Sequence, residues 1–386
     1  MAQSNVLRNI KLLNWFNFFI GFRFYDPIAI LYFSEVAGSY ALGMMVFGVT
    51  NLSQAIFEVP TGIFSDFIGR KRTMILGAVS VLFAVFCYAL GFSYWILLIG
   101  GVFEGLAFSF FSGNNEAMLH DTLKEKGKED KYSHFHGKLS GLPQVAGAVS
   151  ALLGGFIAFY SYSLSFWLSL FSLAICLGLS LFLIEPKVIS EKSTNIYSHL
   201  WEAIKLFVKN PKIRLLSFAS IWSYGLGESG WLFRSAFNAT VWPVWALGIP
   251  QTIANLGAAF GFFFAGRAIS RFGAKKILLF GDIYARIVNI IPLVFVSIFS
   301  PIIAILASPF FGLMETSKST LFQKEFTDKQ RATMGSLNSF AGSILFFVVS
   351  FCLGSVADLL DPAKGLLILQ VFSIVNLFIY WRLLKR

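Results

Sequence analysis

Long runs of apolar residues, separated by short polar segments, dominate the hydrophobic pattern of this chain. About twenty apolar residues are enough to cross the hydrocarbon core of a bilayer as an α-helix. The helix is the expected element, because lipid offers the backbone no hydrogen-bonding partner. The pattern therefore predicts an all-α membrane protein with twelve transmembrane helices, near residues 10–33, 43–64, 73–92, 95–118, 137–160, 164–184, 213–235, 242–266, 274–298, 301–322, 334–357 and 364–382.

Composition supports this interpretation and excludes several other classes of protein. Hydrophobic residues make up 56% of the 386 residues and charged residues 13%. A soluble domain of this length has too little interior to hide so much apolar surface. The three Cys lie inside predicted spans and the four His in polar segments, so we expect no disulfide framework, metal site or other cofactor. The first apolar run is long and lacks a small-residue cleavage site, so no cleavable signal peptide is expected.

The distribution of positive charge predicts the orientation. A net charge of +11 would suit a nucleic-acid partner, but 27 of the 31 Lys and Arg residues fall at the ends of the spans that share one side with the amino terminus. Only Arg234 and Lys364 are expected in loops on the other side. By the positive-inside rule both termini are cytoplasmic. The expected partner is therefore the lipid bilayer, with no nucleic acid, and we expect a monomer in a bacterial inner membrane.

A basic turn occurs twice along the chain, at residues 62–72 and again at 266–276. An offset of 204 residues places Gly62 on Gly266 and Gly69 on Gly273. The same offset places Asn51 on Asn255. Because each turn lies between two long apolar runs, the pattern predicts an internal duplication within the membrane.

The first turn resembles the signature of the major facilitator superfamily of transporters, which joins helices 2 and 3. The matching residues are Gly62, Asp66, Gly69, Arg70 and Lys71, whereas Ser270 replaces the acid in the second copy. The resemblance implies two pseudo-symmetric six-helix bundles with a substrate site near the bilayer midplane. The bundles are expected at residues 1–184 and 213–386. A cytoplasmic linker at 185–212 carries apolar residues at helical spacing over 196–208, which predicts a short amphipathic helix.

The resemblance also implies a cytoplasmic gate. In this interpretation Asp66 faces the start of helix 11 near Thr333-Met334, and Arg70 pairs with Asp121 at the inner end of helix 4. The plainer alternative is that the basic turn only anchors the chain by its positive charge.

Ionisable residues at membrane depth are expensive and usually face a cavity or a partner. Arg23 and Asp26 share a face of helix 1, where Pro27 predicts a kink. Glu104 lies in helix 4 and Glu228 in helix 7. We expect Glu104 and Glu228 to carry protons, with Asp26 as a structural or substrate partner of Arg23. Simple neutralisation of Arg23 by Asp26 stays open as a structural alternative.

Further candidates for contact with a substrate are polar or aromatic residues on helices 2, 7 and 8. They are Asn51, Gln54, Tyr224, Trp231 and Asn255. On helices 9 and 10, by contrast, Asp282 with Arg286 and Glu315 with Lys318 are expected to form local ion pairs.

The pattern favours a secondary carrier and not an enzyme, because no phosphate-binding loop, catalytic triad or metal spacing is present. We expect alternating-access transport of a small organic solute, coupled to protons. Residues 147–155 match the helix-5 stretch of antiporters only in the closing pair Gly154-Gly155, which gives partial support to export of a drug-like compound. Uptake of a nutrient by symport is the alternative, and a non-transporting receptor or scaffold is a remote one.

Overall fold

The computed structural model describes residues 2–125, 127, 132–186, 207, 211–325 and 328–385, and this part of the chain consists of helices and the turns that join them, without strands. The side chains of Asp66 and His134 lie outside the described set. So does nearly all of the predicted linker and its amphipathic helix, since 187–206 and 208–210 are not described.

The chain folds into two compact units. Unit 1 comprises Met1–Gly38, Met45–Glu191 and Val244–Thr252, and unit 2 comprises Ser39–Met44, Lys192–Pro243 and Ile253–Arg386. The expected bundle boundaries at residues 184 and 213 stay a prediction.

The first eight helices are α1 (Ala2–Ile20), α2 (Ala29–Ala37), α3 (Tyr40–Ile68), α4 (Arg70–Leu90), α5 (Tyr94–Phe111), α6 (Asn114–Lys124), α7 (Tyr132–Tyr160) and α8 (Tyr162–Leu181). The next eight are α9 (Pro211–Asn238), α10 (Gly248–Phe272), α11 (Ala274–Val294), α12 (Ser300–Ile305), α13 (Ser308–Glu325), α14 (Asp328–Leu359), α15 (Pro362–Ser373) and α16 (Val375–Lys385).

These helices correspond to the twelve predicted spans and confirm the helical membrane fold. Four spans consist of two helices each: α1 with α2, α5 with α6, α12 with α13, and α15 with α16. Within the described residues, ten segments are individually long and apolar enough to cross a membrane. The two predicted spans outside that set are the first, which is broken between α1 and α2, and α9, which carries Arg214, Glu228 and Arg234.

One polar contact holds the start of α3 within unit 2. The carboxylate of Asp358 accepts hydrogen bonds from the backbone N–H groups of Tyr40 and Ala41, at 2.7 and 2.9 Å. These N–H groups have no acceptor within the helix, and a negative charge beside them is favourable.

The internal duplication is visible in the backbone. α3 ends at Ile68 and α4 begins at Arg70, while α10 ends at Phe272 and α11 begins at Ala274. Each junction is a single glycine with positive φ, +94° at Gly69 and +83° at Gly273. Both also have extended ψ, a combination open essentially to Gly alone. The offset of 204 residues is thus a repeat of structure as well as of sequence.

The surroundings of the two glycines differ, and this gives a prediction. A Cβ added at Gly69 would lie 2.8 Å from the Glu185 carboxylate, whereas nothing lies within 4 Å at Gly273. Gly273→Ala should cost only the backbone strain, about 1–3 kcal/mol. Gly69→Ala should lower the thermal unfolding temperature of the purified protein further, because it also displaces Glu185. Equal effects of the two substitutions would contradict this account.

Candidate functional site

The first span is interrupted in its middle, where residues 21–28 leave the helix. Lipid cannot satisfy the freed backbone groups, so non-helical backbone at this depth needs protein partners. Two serines of α8 provide them. The Phe24 N–H donates to Ser169 Oγ at 3.0 Å, and Ser172 Oγ donates to the Phe22 carbonyl at 2.8 Å. The Arg23 Nε–H donates to the Ile20 carbonyl at 2.9 Å.

The Gly-Gly pair of α7 lies directly against backbone. A Cβ at Gly154 would collide with the Phe24 carbonyl of the interrupted segment. At Gly155 it would lie 2.6 Å from the Trp245 carbonyl, also within unit 1. The pair that suggested an antiporter stretch therefore has a packing role, since only Gly permits such close approach.

A buried carboxylate gathers the polar side chains beside the break. Glu104 of α5 is 7% exposed, and its Oε1 lies 3.3 Å from Nη1 of Arg23. The hydroxyl of Tyr25 donates to the same oxygen at 3.3 Å, and the hydroxyl of Tyr88 donates to Oε2 at 2.9 Å. The guanidinium of Arg23 also lies over the ring of Phe108. Three donors, one of them cationic, thus surround the carboxylate of Glu104.

This geometry changes the expected roles of the acids in unit 1. The sequence suggested Asp26 as the partner of Arg23, but the ion pair of Arg23 is with Glu104. Asp26 is half-buried at the break and makes no hydrogen bond or ion pair with any residue that the structure describes. The non-helical segment places Arg23 in contact with α5, while Asp26 interacts with the charge of Arg23 from beyond ion-pair distance.

In unit 2, Glu228 is a second acid without an ionic partner in the described part of the chain. It is half-buried on α9, and nearby on the same helix Tyr224 and Trp231 are 40% and 37% exposed. The remaining candidates are half-buried, with Asn51 and Gln54 on α3 and Asn255 on α10. The Asn51 amide donates to the Phe47 carbonyl at 3.2 Å.

The basic turn forms a second polar cluster in unit 1. Arg70 Nε lies 3.7 Å from Asp121 Oδ2, the pairing that the family resemblance implied. Its Nη1 donates to Ser65 Oγ at 2.9 Å. The two oxygens of Glu185 accept from the backbone N–H groups of Arg70 and Lys71, at 2.6 and 2.8 Å. Glu185 therefore caps the start of α4, where the helix dipole favours a negative charge.

Sequence reasoning missed Glu185 and Asn114 as members of this cluster. The Asn114 amide donates to the Arg70 carbonyl at 3.0 Å, and its oxygen accepts from Ser65 Oγ at 2.9 Å. The acid followed by Pro186 at the end of α8 was the only sequence signal. Gly62 faces open space, and the side chains of Asp66 and Thr333 lie outside the described set.

Both local ion pairs expected on helices 9 and 10 are present in unit 2, between Asp282 and Arg286 and between Glu315 and Lys318. The expectation for Arg234 was wrong. This residue lies on α9, partly buried and hydrogen-bonded, and not in a loop.

Removing one partner of a buried ion pair is more costly than removing both, which gives a prediction for Arg23 and Glu104. Arg23→Gln leaves the Glu104 charge uncompensated and should cost about 3–5 kcal/mol. The double change Arg23→Gln/Glu104→Gln should recover part of that loss in thermal unfolding. Lys364→Gln, which breaks the exposed pair with Asp361, should cost about 0–1 kcal/mol. A double variant less stable than Arg23→Gln would contradict the pairing.

Comparisons with known proteins place this geometry in a family. The sequence profile of the Major Facilitator Superfamily matches residues 12–350. The chain is 26% identical over 181 residues to the Na(+), Li(+), K(+)/H(+) antiporter of Planococcus maritimus, covering 45% of this chain and 41% of that protein. It is also 26% identical over 275 residues to the raffinose permease of Escherichia coli, covering 66% of this chain and 63% of the permease. Each match spans less than two thirds of the relative's length.

Solved structures agree on the fold. The nucleoside transporter NupG superposes with a TM-score of 0.82 at 15% identity, over 99% of both chains. A bacterial homologue of the human lysosomal transporter Spinster gives 0.76 at 16% identity, over 99% of this chain and 96% of the other. With the profile match over most of its length, this chain belongs to the major facilitator superfamily of membrane transporters.

Proposed function

We propose that this transporter couples the movement of a small organic solute to protons, with export by antiport as the leading mode. One observation carries the proposal: Glu104 is held by three donors, whereas Asp26, also beside the helix break, feels the charge of Arg23 but has no hydrogen bond or ion-pair contact with a described residue. Arg23 and Glu104 neutralise each other, so the charge of this site depends on whether Asp26 holds a proton.

The proposed coupling follows from that charge balance. With Asp26 protonated, the site is neutral and well suited to membrane depth. With Asp26 ionised, its carboxylate competes with Glu104 for Arg23, three residues away on the same segment. If Arg23 changes its partner from Glu104 to Asp26, the non-helical backbone at residues 21–28 can change direction. Hinges are short stretches of this kind, which absorb changes in φ and ψ.

The proposal reverses two of the expected roles. Asp26 and Glu228 are the carboxylates that exchange protons, and Glu104 is the fixed partner of Arg23. Tyr224 and Trp231 lie near Glu228 on α9 and supply aromatic surface for an apolar or cationic amphipathic solute. Proton-coupled uptake is the second candidate, supported by the similarity to raffinose permease over 66% of the chain.

Coupling is tested in inside-out vesicles with an acidic interior, monitored by a pH-gradient dye. Adding ethidium, as a cationic amphipathic probe, should release protons from vesicles that contain the transporter. Asp26→Asn and Glu228→Gln should each reduce this release at least tenfold. Asp361→Asn, which alters an exposed acid outside the spans, serves as the control and should leave it unchanged.

The same assay separates the two modes of transport. Proton entry on adding raffinose to right-side-out vesicles, with no response to ethidium, would favour symport. Full proton release in both Asp26→Asn and Glu228→Gln would show that these acids do not couple the flows.

The basic-turn cluster is proposed as a gate, and its charge pair can be tested by cysteine labelling. Asp121→Asn removes the charge facing Arg70 and should open the cytoplasmic side. A single Cys placed at the exposed Ser112, in a background without the three natural Cys, should then react with maleimide several times faster. Lys71→Gln removes a charge from the same turn without removing a described ion pair, and should leave the rate unchanged. Equal rates in all three proteins would refute the gating role.

A further inference from the structure

A group of charged side chains inside unit 2 has one positive charge too many. Arg286 pairs with Asp282 at 3.3 Å, and Lys318 pairs with Glu315. Arg234 of α9 has only neutral partners in the described part of the chain. Its Nη2 donates to Asn289 Oδ1 at 2.7 Å and its Nη1 to the Ala304 carbonyl at 3.3 Å.

The neighbouring side chains do not supply a counter-charge for Arg234. The Arg286 Nη1 donates to Gln370 Oε1, so both arginines reach amides that are themselves at most 9% exposed. The Nε of Arg286 and Oδ2 of its ion-pair partner Asp282 are both buried without a hydrogen bond, so this pair holds an unused acceptor as well as an unused donor. The amide nitrogen of Gln370 has no acceptor among the residues that the structure describes. A partly buried charge without a counter-charge is costly, and Arg234 together with the Gln370 amide points to a missing acceptor.

A small cavity lies where the donors meet. Its polar wall is formed by Arg234, Asn289 and Gln370, and its apolar wall includes Phe237, Pro292 and Leu366. Guanidinium and amide N–H groups are the donors that bind carboxylates and halides in proteins. Among the described residues that line this cavity, Arg234 is the one cation, and it has no counter-charge, which matches an anion of charge −1. A dianion would leave a negative charge uncompensated among apolar side chains.

We propose that this cavity binds a small monovalent anion, a halide or a short carboxylate such as formate, against Arg234. The anion balances the charge of Arg234 and accepts hydrogen bonds from its guanidinium and from the Gln370 amide. The site is independent of the proposed proton coupling, because neither Asp26 nor Glu228 belongs to it.

The test is thermal unfolding of the purified full chain in sodium salts of equal ionic strength. Chloride, bromide and formate are compared with gluconate, which is too large for the cavity, and with sulfate, which stabilises proteins non-specifically. At about tenfold excess over Kd, a fitting anion should raise the unfolding temperature by about 2–4 °C over gluconate. Comparison of the unfolding temperatures in chloride and in formate decides whether the site binds a halide or a carboxylate.

Arg234→Gln should abolish this shift, and Arg382→Gln, at an exposed position on α16, should retain it. Gln370→Glu places a tethered carboxylate in the cavity and keeps the proposal testable if Arg234→Gln does not fold. This variant should be more stable than the parent in gluconate and insensitive to chloride. Stabilisation by sulfate alone, no anion-specific shift in the parent, or an unchanged shift in Arg234→Gln or Gln370→Glu would overturn the proposal.

Discussion

The bilayer requires every backbone polar group to find its partner inside the protein, and the rest of the structure depends on this constraint. It explains why the described chain is almost entirely helical, with long helices joined by turns as short as one residue. It also makes the interruption at residues 21–28 informative. A break in that position persists only because Ser169 and Ser172 of α8 bond to backbone groups that lipid would leave unsatisfied.

The break in turn determines the chemistry of unit 1. An intact helix would keep Arg23 and Asp26 on one face as neighbours, whereas the non-helical segment brings Arg23 to Glu104. Gly154 lets α7 approach this segment closely. Packing and electrostatics are therefore coupled here, since Phe24 makes the close helix contact and its neighbour Arg23 makes the ion pair. Asp26 is left as the acid whose charge the site does not compensate by hydrogen bonding.

The two copies of the basic turn share one backbone conformation but have different surroundings. Gly69 and Gly273 adopt the same conformation at the same offset. Around the first glycine, Glu185, Asn114 and Asp121 form a polar cluster with Arg70, whereas the second faces open space. The turn geometry alone thus provides a chain reversal, and the added acids make the first copy a candidate gate. Electrostatic asymmetry also appears in the interior, where unit 2 carries the unmatched charge of Arg234.

The sequence by itself indicated the helical membrane fold through its hydrophobic run length, the repeated turn through its two Gly-containing copies, and the family through the resemblance of the first copy to the family signature. It also identified the local pairs Asp282–Arg286 and Glu315–Lys318, whose partners lie within one helical turn. Only the tertiary structure decided that Arg23 pairs with Glu104, that Glu185 caps α4, and that Arg234 lies against Asn289. Those partners are 81, 115 and 55 residues apart in the chain. Periodicity places a residue on a helix, but helix packing and the break in helix 1 determine which distant side chain it meets.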